Sequence, residues 1–258
     1  GQKATLYISF GTHQTISTTL ASQNGTFSVT FRVNTQPGGT AIITVKNSSL
    51  ATTCFYILSS ITLLSPKSGI VGTILTIQGS GQKNTLYISF GTNETITTTL
   101  SSNNGTFSAT FRIDTQVGGT TTITANSYQL TANSSFLILS SITLLTPTSG
   151  IVGTIITIEG SGQKNTLSIS FGTNQTIATT TASQYGTFSV TFIVDTQVSG
   201  TTTITMKNSS ISTTTFYILS SITLLSPQSG IVGTILTIEG SGQKGTLSIS
   251  FGTHQTIT

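Results

Sequence analysis

SITLLSPKSGIVGTILTIQGSG, residues 60–81, returns almost unchanged as residues 141–162 and again as residues 221–242. The starts lie 81 and then 80 residues apart, so the chain is a tandem array of one repeat of about eighty residues. That period predicts complete repeats at 60–140 and 141–220. It also predicts a partial repeat at 1–59, lacking its first two strands, and another at 221–258, lacking its last ones. The sequence opens on Gly1 in mid-repeat, as expected of a segment of a longer array.

Outward from that stretch the period-two alternation is the dominant signal. In Thr106–Ile113, Phe107, Ala109, Phe111 and Ile113 share one face and Thr106, Ser108, Thr110 and Arg112 the other, the pattern of a half-buried strand. Leu86, Ile88 and Phe90 do the same over 85–91. A weakly apolar segment, Glu94–Leu100, is expected at a sheet edge. Asn104-Gly105 is expected to supply the positive backbone dihedrals of a tight hairpin, with Tyr185-Gly186 a weaker version. Gly118-Gly119 turns the chain into the next strand. The loop after it varies: Asn47 and Phe55 are eight positions apart, Asn126 and Phe136 ten, Asn208 and Phe216 eight. Phe136–Ser140 runs into Ser141–Thr146 with no Gly, Pro or charged linker, which predicts stiffly joined repeats. Apolar residues on both faces of that run are expected to bury in part against a neighbouring repeat or chain. About seven strands per repeat, with turn signals every eight to twelve residues, predict an all-β chain of sandwiches without helices.

Composition narrows the function. Charged residues are 5% of the chain, against about a quarter in ordinary globular proteins. More than a third of the positions are Ser or Thr, so the polar surface is mostly hydroxyls and amides. The net charge of +4 comes from nine Lys and Arg against five acids, scattered along the strands. That is no basic patch for nucleic acid. No apolar run approaches the roughly eighteen residues of a helical membrane span. The single cysteine, Cys54, stands where Ser135 and Thr215 stand in the other repeats, so the fold needs no thiol there.

Pro66, Ser68, Gly69, Gly72, Thr73, Thr76, Ile77 and Gly79, followed by NGTFSATFRI and GGTTTITA, resemble the tandem immunoglobulin-like repeats of the IPT/TIG type in bacterial and archaeal surface proteins. The resemblance implies immunoglobulin-like sandwiches and stalks, adhesins, surface-layer parts or fibres, and carries no catalytic residues. The sequence departs from the pattern where Gln82 replaces the usual aromatic after Gly-Ser-Gly.

No residue is expected to be catalytic, cofactor-binding or metal-ligating. His13 and His254 stand where other repeats carry Asn93 and Asn174, with no further ligand types at suitable spacing. Asp114 and Asp195 are expected to cap turns. Lys3, Lys83, Lys164 and Lys244 recur in GQK at every repeat, as charges guarding an edge or contacting a neighbouring protomer. Tyr7 and Tyr87 face outward; sugar recognition would need them clustered with other aromatics. Asn24, Asn47, Asn93, Asn104, Asn133, Asn174 and Asn208 each open an Asn-x-Ser/Thr sequon, and all are expected at turns or strand ends, where glycans would solubilise a nearly uncharged surface. The function expected is structural: an extracellular, cell-surface fibre or rod built by self-association, with strand complementation between repeats or protomers. The alternatives are the stalk of an adhesin or surface-layer protein whose recognition domain lies elsewhere, and a spacer in a secreted polysaccharide hydrolase.

Overall fold

The computed structural model describes residues 4–208, 210–252 and 254–257, the last four by their backbone. Strands account for all the regular structure among them. The first sheet contains β1 (Thr5–Phe10), β2 (His13–Leu20), β3 (Gly39–Lys46) and β4 (Leu50–Ile57), in the order β2-β1-β3-β4. Eight strands follow: β5 (Ser60–Ser65), β6 (Ser68–Ile70), β7 (Ile74–Ser80), β8 (Thr85–Phe90), β9 (Asn93–Leu100), β10 (Phe107–Arg112), β11 (Gly119–Ser127) and β12 (Leu130–Leu139). They form a three-stranded sheet, β10-β7-β5, and a five-stranded one, β6-β12-β11-β8-β9.

The next eight strands repeat the plan: β13 (Ser141–Thr146), β14 (Ser149–Gly150), β15 (Ile155–Ser161), β16 (Thr166–Phe171), β17 (Asn174–Thr181), β18 (Phe188–Ile193), β19 (Gly200–Lys207) and β20 (Ile211–Ile218). Their sheets are β13-β15-β18 and β14-β20-β19-β16-β17. Two pairs close the chain, β21 (Ser221–Ser226) with β22 (Thr237–Ser241), and β23 (Ile249–Phe251) with β24 (His254–Ile257).

The leading strand of each complete repeat is divided between the two sheets. Its front half, β13, pairs antiparallel with β15, and its short continuation, β14, runs parallel to the last strand with Ser149 opposite Tyr217 and Gly150 opposite Ile218. With the sheet orders above, this makes each an immunoglobulin-like sandwich. Repeats at 60–140 and 141–220 thus hold eight strands rather than about seven, because β6 and β14, at three and two residues, are too short to show an alternation.

By compactness the chain divides into two units, residues 1–113 with 120–137, and residues 114–119 with 138–258. In the first, Phe107, Ala109, Phe111 and Ile113 are buried as their alternation predicts. Phe90 of β8 sits between the sheets, 5.7 Å from Phe111 and 5.8 Å from Phe136 in edge-on contacts. In the second, Phe171 sits tilted against Phe192 and edge-on to Phe216, amid a cluster that includes Ile156, Ile158, Leu167 and Ile204. Such aromatic pairs add about 0.5–1.5 kcal/mol each beyond their burial.

Among the described residues no sheet faces the first one. Residues 26–33 have no strand partner among the described residues, and Phe27 and Val33, homologous to buried Phe107 and Ile113, are 47% and 42% exposed. What remains is a small core of Phe10, Ala41 and Ile57 with Phe31 packed against it.

Several expectations change on contact with the structure. The weak strand is at an edge, as β9. The Asn104-Gly105 turn is not a hairpin within one sheet. It carries the chain from the five-stranded to the three-stranded sheet, Gly105 alone takes a positive φ (+80°), and the Gly105 amide donates to Ser102 O at 2.9 Å. Tyr185 is therefore no weakness, since only Gly186 needs the left-handed region (φ +78°). Extra residues at 126–136 lengthen the β11–β12 hairpin rather than a loop. One residue, Ser140, separates β12 from β13. Of the both-faced run, Phe136 and Ile138 are buried, while Leu137 and Leu139 stay 43% and 40% exposed.

Candidate functional site at the joint between repeats

Glycines seat the backbone of one repeat directly on that of the next. Within the first unit, a Cβ on Gly38 would lie 2.1 Å from Gly81 O and 2.8 Å from a Leu130 methyl. One on Gly105 would lie 2.5 Å from Gln36 O. The Gln36-Pro37-Gly38 loop therefore rests directly on the backbone of two turns of the following repeat, and Gln82 N donates to Gly105 O at 3.1 Å to hold those turns together. The second unit repeats the arrangement. Gly118 would meet Gly162 O at 2.0 Å, Gly186 would meet Gln116 O at 2.7 Å, and Gln163 N donates to Gly186 O at 3.0 Å. At the third such position Ser199 replaces the glycine, and its amide donates to Gly242 O at 2.7 Å.

Two glutamines per repeat support these joints. Gln36 is 3% exposed, and its Oε1 accepts from the Thr12 amide at 2.9 Å, over Gly11. Gln197 Nε2 donates to Phe171 O at 2.9 Å, over Gly172. Each plugs the two-residue turn of a hairpin whose first residue is glycine at φ near +57°, the II′ geometry. Gln82 is fully buried: its Nε2 donates to Ala125 O at 3.1 Å, and its Oε1 accepts from Ser127 Oγ at 2.7 Å. Gln163 is buried equally, yet neither atom of its carboxamide has a hydrogen-bond partner among the described residues. Gln243, in the repeat whose later strands are absent from the sequence, is exposed. Sequence reading missed the structural role of these side chains. The available signal was recurrence of Gln at the repeat spacing, at 36, 116 and 197 and at 82, 163 and 243.

The residues singled out from sequence fall apart from one another. His13 is exposed at the head of β2. Lys3 and the His254 side chain lie outside the described residues. Asp195 caps its turn, accepting from the Thr196 amide at 2.6 Å and from Asn174 Nδ2 at 2.5 Å. Asp114 Oδ1 accepts from Gln116 Nε2 at 2.8 Å. Lys83, Lys164 and Lys244 are exposed, with Lys83 lying along Gly39 in the first unit. Cys54 is free and exposed. No three His, Cys, Asp or Glu side chains gather as a metal site among the described residues. No described helix is long and apolar enough to cross a membrane.

The sequon asparagines separate into two groups. Asn24, Asn47, Asn104 and Asn133 are exposed, whereas Asn93, Asn174 and Asn208 are half-buried. Asn133 stands inside β12 rather than at a turn or strand end. Asn104 Oδ1 accepts from the hydroxyl of its own sequon threonine, Thr106, at 2.9 Å.

The structure also gathers aromatics that the sequence left apart. Tyr56, Tyr87 and Tyr128, all in the first unit, border one cleft of about 470 Å³ together with Lys83 and Asn84. Tyr7 lies on a different one.

No family model and no curated protein matches the sequence. Solved structures that match include the N-terminal eight immunoglobulin domains of Down Syndrome Cell Adhesion Molecule, 14% identical over 98% of this chain, with a TM-score of 0.28. Another is invasin, a bacterial integrin-binding protein, 15% identical over 86% of this chain, with a TM-score of 0.23. A third is extracellular domains 3–5 of Drosophila OTK, 14% identical over 85% of this chain and 86% of its own, with a TM-score of 0.25. The chain spans 43% of the first of these structures and 55% of the second.

Proposed function

We propose that this chain is a non-enzymatic structural repeat segment of an extracellular, cell-surface fibre or rod, of the IPT/TIG kind that its sequence resembles. Apolar faces left open in it are closed by strands of the Ser60–Gly81 type from another repeat or protomer. The observation that carries this reading is the glycine-seated joint, which recurs in both compact units: residues 36–38 rest on Gly81 and Gly105, and Gly118 and Gly186 meet Gly162 and Gln116 in the same way. Beside the first joint, Phe55 of β4 is 44% exposed and the unpaired segment 26–33 leaves Phe27 and Val33 at 47% and 42%, side chains that a strand of the Ser60–Gly81 type would cover. Covering the exposed part of each side chain is worth about 1 kcal/mol, and strand addition satisfies the backbone at the same time. Backbone resting on backbone at those joints leaves little room for a flexible tether.

Electron microscopy and sedimentation of the full chain test it. Fibres or concentration-dependent oligomers are expected, shortened by excess synthetic peptide of residues 60–81. A chain that stays monomeric at all concentrations, or assemblies indifferent to the peptide, would refute strand complementation. Glycans belong to the same proposal, with Asn24, Asn47, Asn104 and Asn133 the preferred carriers, because Asn174 Nδ2 is already committed to Asp195. Peptide mass spectrometry of native material is expected to find hexose-type additions at those four first. Additions confined to Asn93, Asn174 and Asn208 would contradict the ranking.

A further inference from the structure

We propose that the cleft bordered by Tyr56, Tyr87 and Tyr128 binds an oligosaccharide chain, a role independent of whether the protein forms fibres. Three of the chain's six tyrosines stand around this one cleft of about 470 Å³, within the range of small-ligand sites. They arrive from separate elements. Tyr56 comes from the outer face of β4, opposite Thr40. Tyr87 comes from the outer face of β8, between buried Leu86 and Ile88. Tyr128 crowns the β11–β12 hairpin. Their exposures, 52%, 53% and 97%, mean that none is spent on the core. Rigid phenols with an apolar body and a polar tip offer large contact area at low conformational cost.

The lining chooses among ligand classes. Lys83 is its one charged side chain, and Asn84 and Gln129 add carboxamides beside threonine and serine hydroxyls. Flat apolar faces edged by neutral donors and acceptors match a sugar ring, with C–H groups on its faces and hydroxyls around its rim. A phosphate backbone would want several cations, and an apolar peptide would want an unbroken hydrophobic wall. The site is also specific to this place in the array. One repeat on, the tyrosine positions carry Leu137 and Ser168, and the hairpin that presents Tyr128 is shorter by two residues.

Calorimetry on the full chain with cellohexaose, xylohexaose, mannohexaose and hexagalacturonate tests the proposal. At least one is expected to bind with sub-millimolar affinity. Tyr87→Ser and Tyr128→Ser should each weaken it at least about tenfold, and Tyr217→Ser, on another strand, should leave it unchanged. Tyr87→Ser keeps the fold, since Ser168 already occupies that place in β16, so an unaltered melting curve separates lost binding from lost structure. Three results would overturn the proposal: none of the four sugars binding at millimolar concentration, binding that survives the two tyrosine changes combined, or hexathymidylate binding where the sugars do not.

Discussion

The buried glutamines show how one residue type has different worth in homologous places. Gln82 makes two hydrogen bonds inside the sandwich, and its Ser127 partner is itself buried. Gln163 has lost that serine, since Asn208 stands at the corresponding position, and its carboxamide is buried without partners. A buried polar group left unpaired costs about 1–3 kcal/mol, whereas a bonded one contributes a net 0.5–1.5. Gln82→Leu is therefore expected to destabilise by about 1–3 kcal/mol, and Gln163→Leu to be neutral or stabilising, as read by urea unfolding. Equal losses at both would mean that water satisfies Gln163. Gly38 poses a steric question instead. A methyl group there meets a backbone oxygen at 2.1 Å, which has no rotamer to escape through, so Gly38→Ala is expected to cost about 1–3 kcal/mol. Ser199→Ala, where a side chain already stands at the homologous joint, should cost little in the same unfolding experiment. A silent Gly38→Ala would show that the loop can lift away from Gly81 freely.

At the scale of strands and sheets, the alternation that the sequence displays is the one the structure uses, because each long strand buries one face only. Phe107, Ala109 and Phe111 could be placed inward without knowing what they touch. Partner choice was not legible, since a period of two says which face is wet and nothing about which strand lies alongside. The Asn104-Gly105 turn was misread for that reason: a glycine in the left-handed region closes a crossing between sheets as readily as a hairpin. The glutamines were legible as a recurrence at the repeat spacing, but nothing local to GSGQK says the side chain points inward. Nor could the tyrosine cleft be seen, because residues 56, 87 and 128 meet through two sheets and a lengthened hairpin. The same strand position now offers a measurement of what a second sheet contributes. Phe111 and Phe192 are 7% exposed and packed on Phe90 and Phe171, whereas Phe31, touching Phe10, is only half-buried. Phe111→Ala should cost about 3–5 kcal/mol. Phe31→Ala should cost clearly less in the isolated chain and approach that value once strands close over it. An equal cost in the dilute monomer would show the first sheet to be already covered.

Across the whole molecule, an eighty-residue sandwich without a disulfide buries too little surface to be very stable alone, so contacts with neighbours are expected to count. In a repeat array, stability approximates a sum of intrinsic terms and nearest-neighbour terms. In the first compact unit the neighbour term is concrete: residues 36–38 rest on Gly81 and Gly105, and Gly38 also reaches Leu130. Deleting residues 1–59 strips that cover from the complete repeat, and it also removes the exposed Phe27 and Val33 of the unpaired segment 26–33. Residues 60–137 are therefore expected to melt below residues 1–137, by about 4–8 °C for each kcal/mol of joint lost. Residues 60–258 should at the same time self-associate less than the full chain. Calorimetry and sedimentation velocity on the trimmed and untrimmed chains read the two effects separately. A lower melting point with undiminished association would keep the joint and move the assembly contact elsewhere. An unchanged melting point would mean that the joint guides the chain without stabilising it.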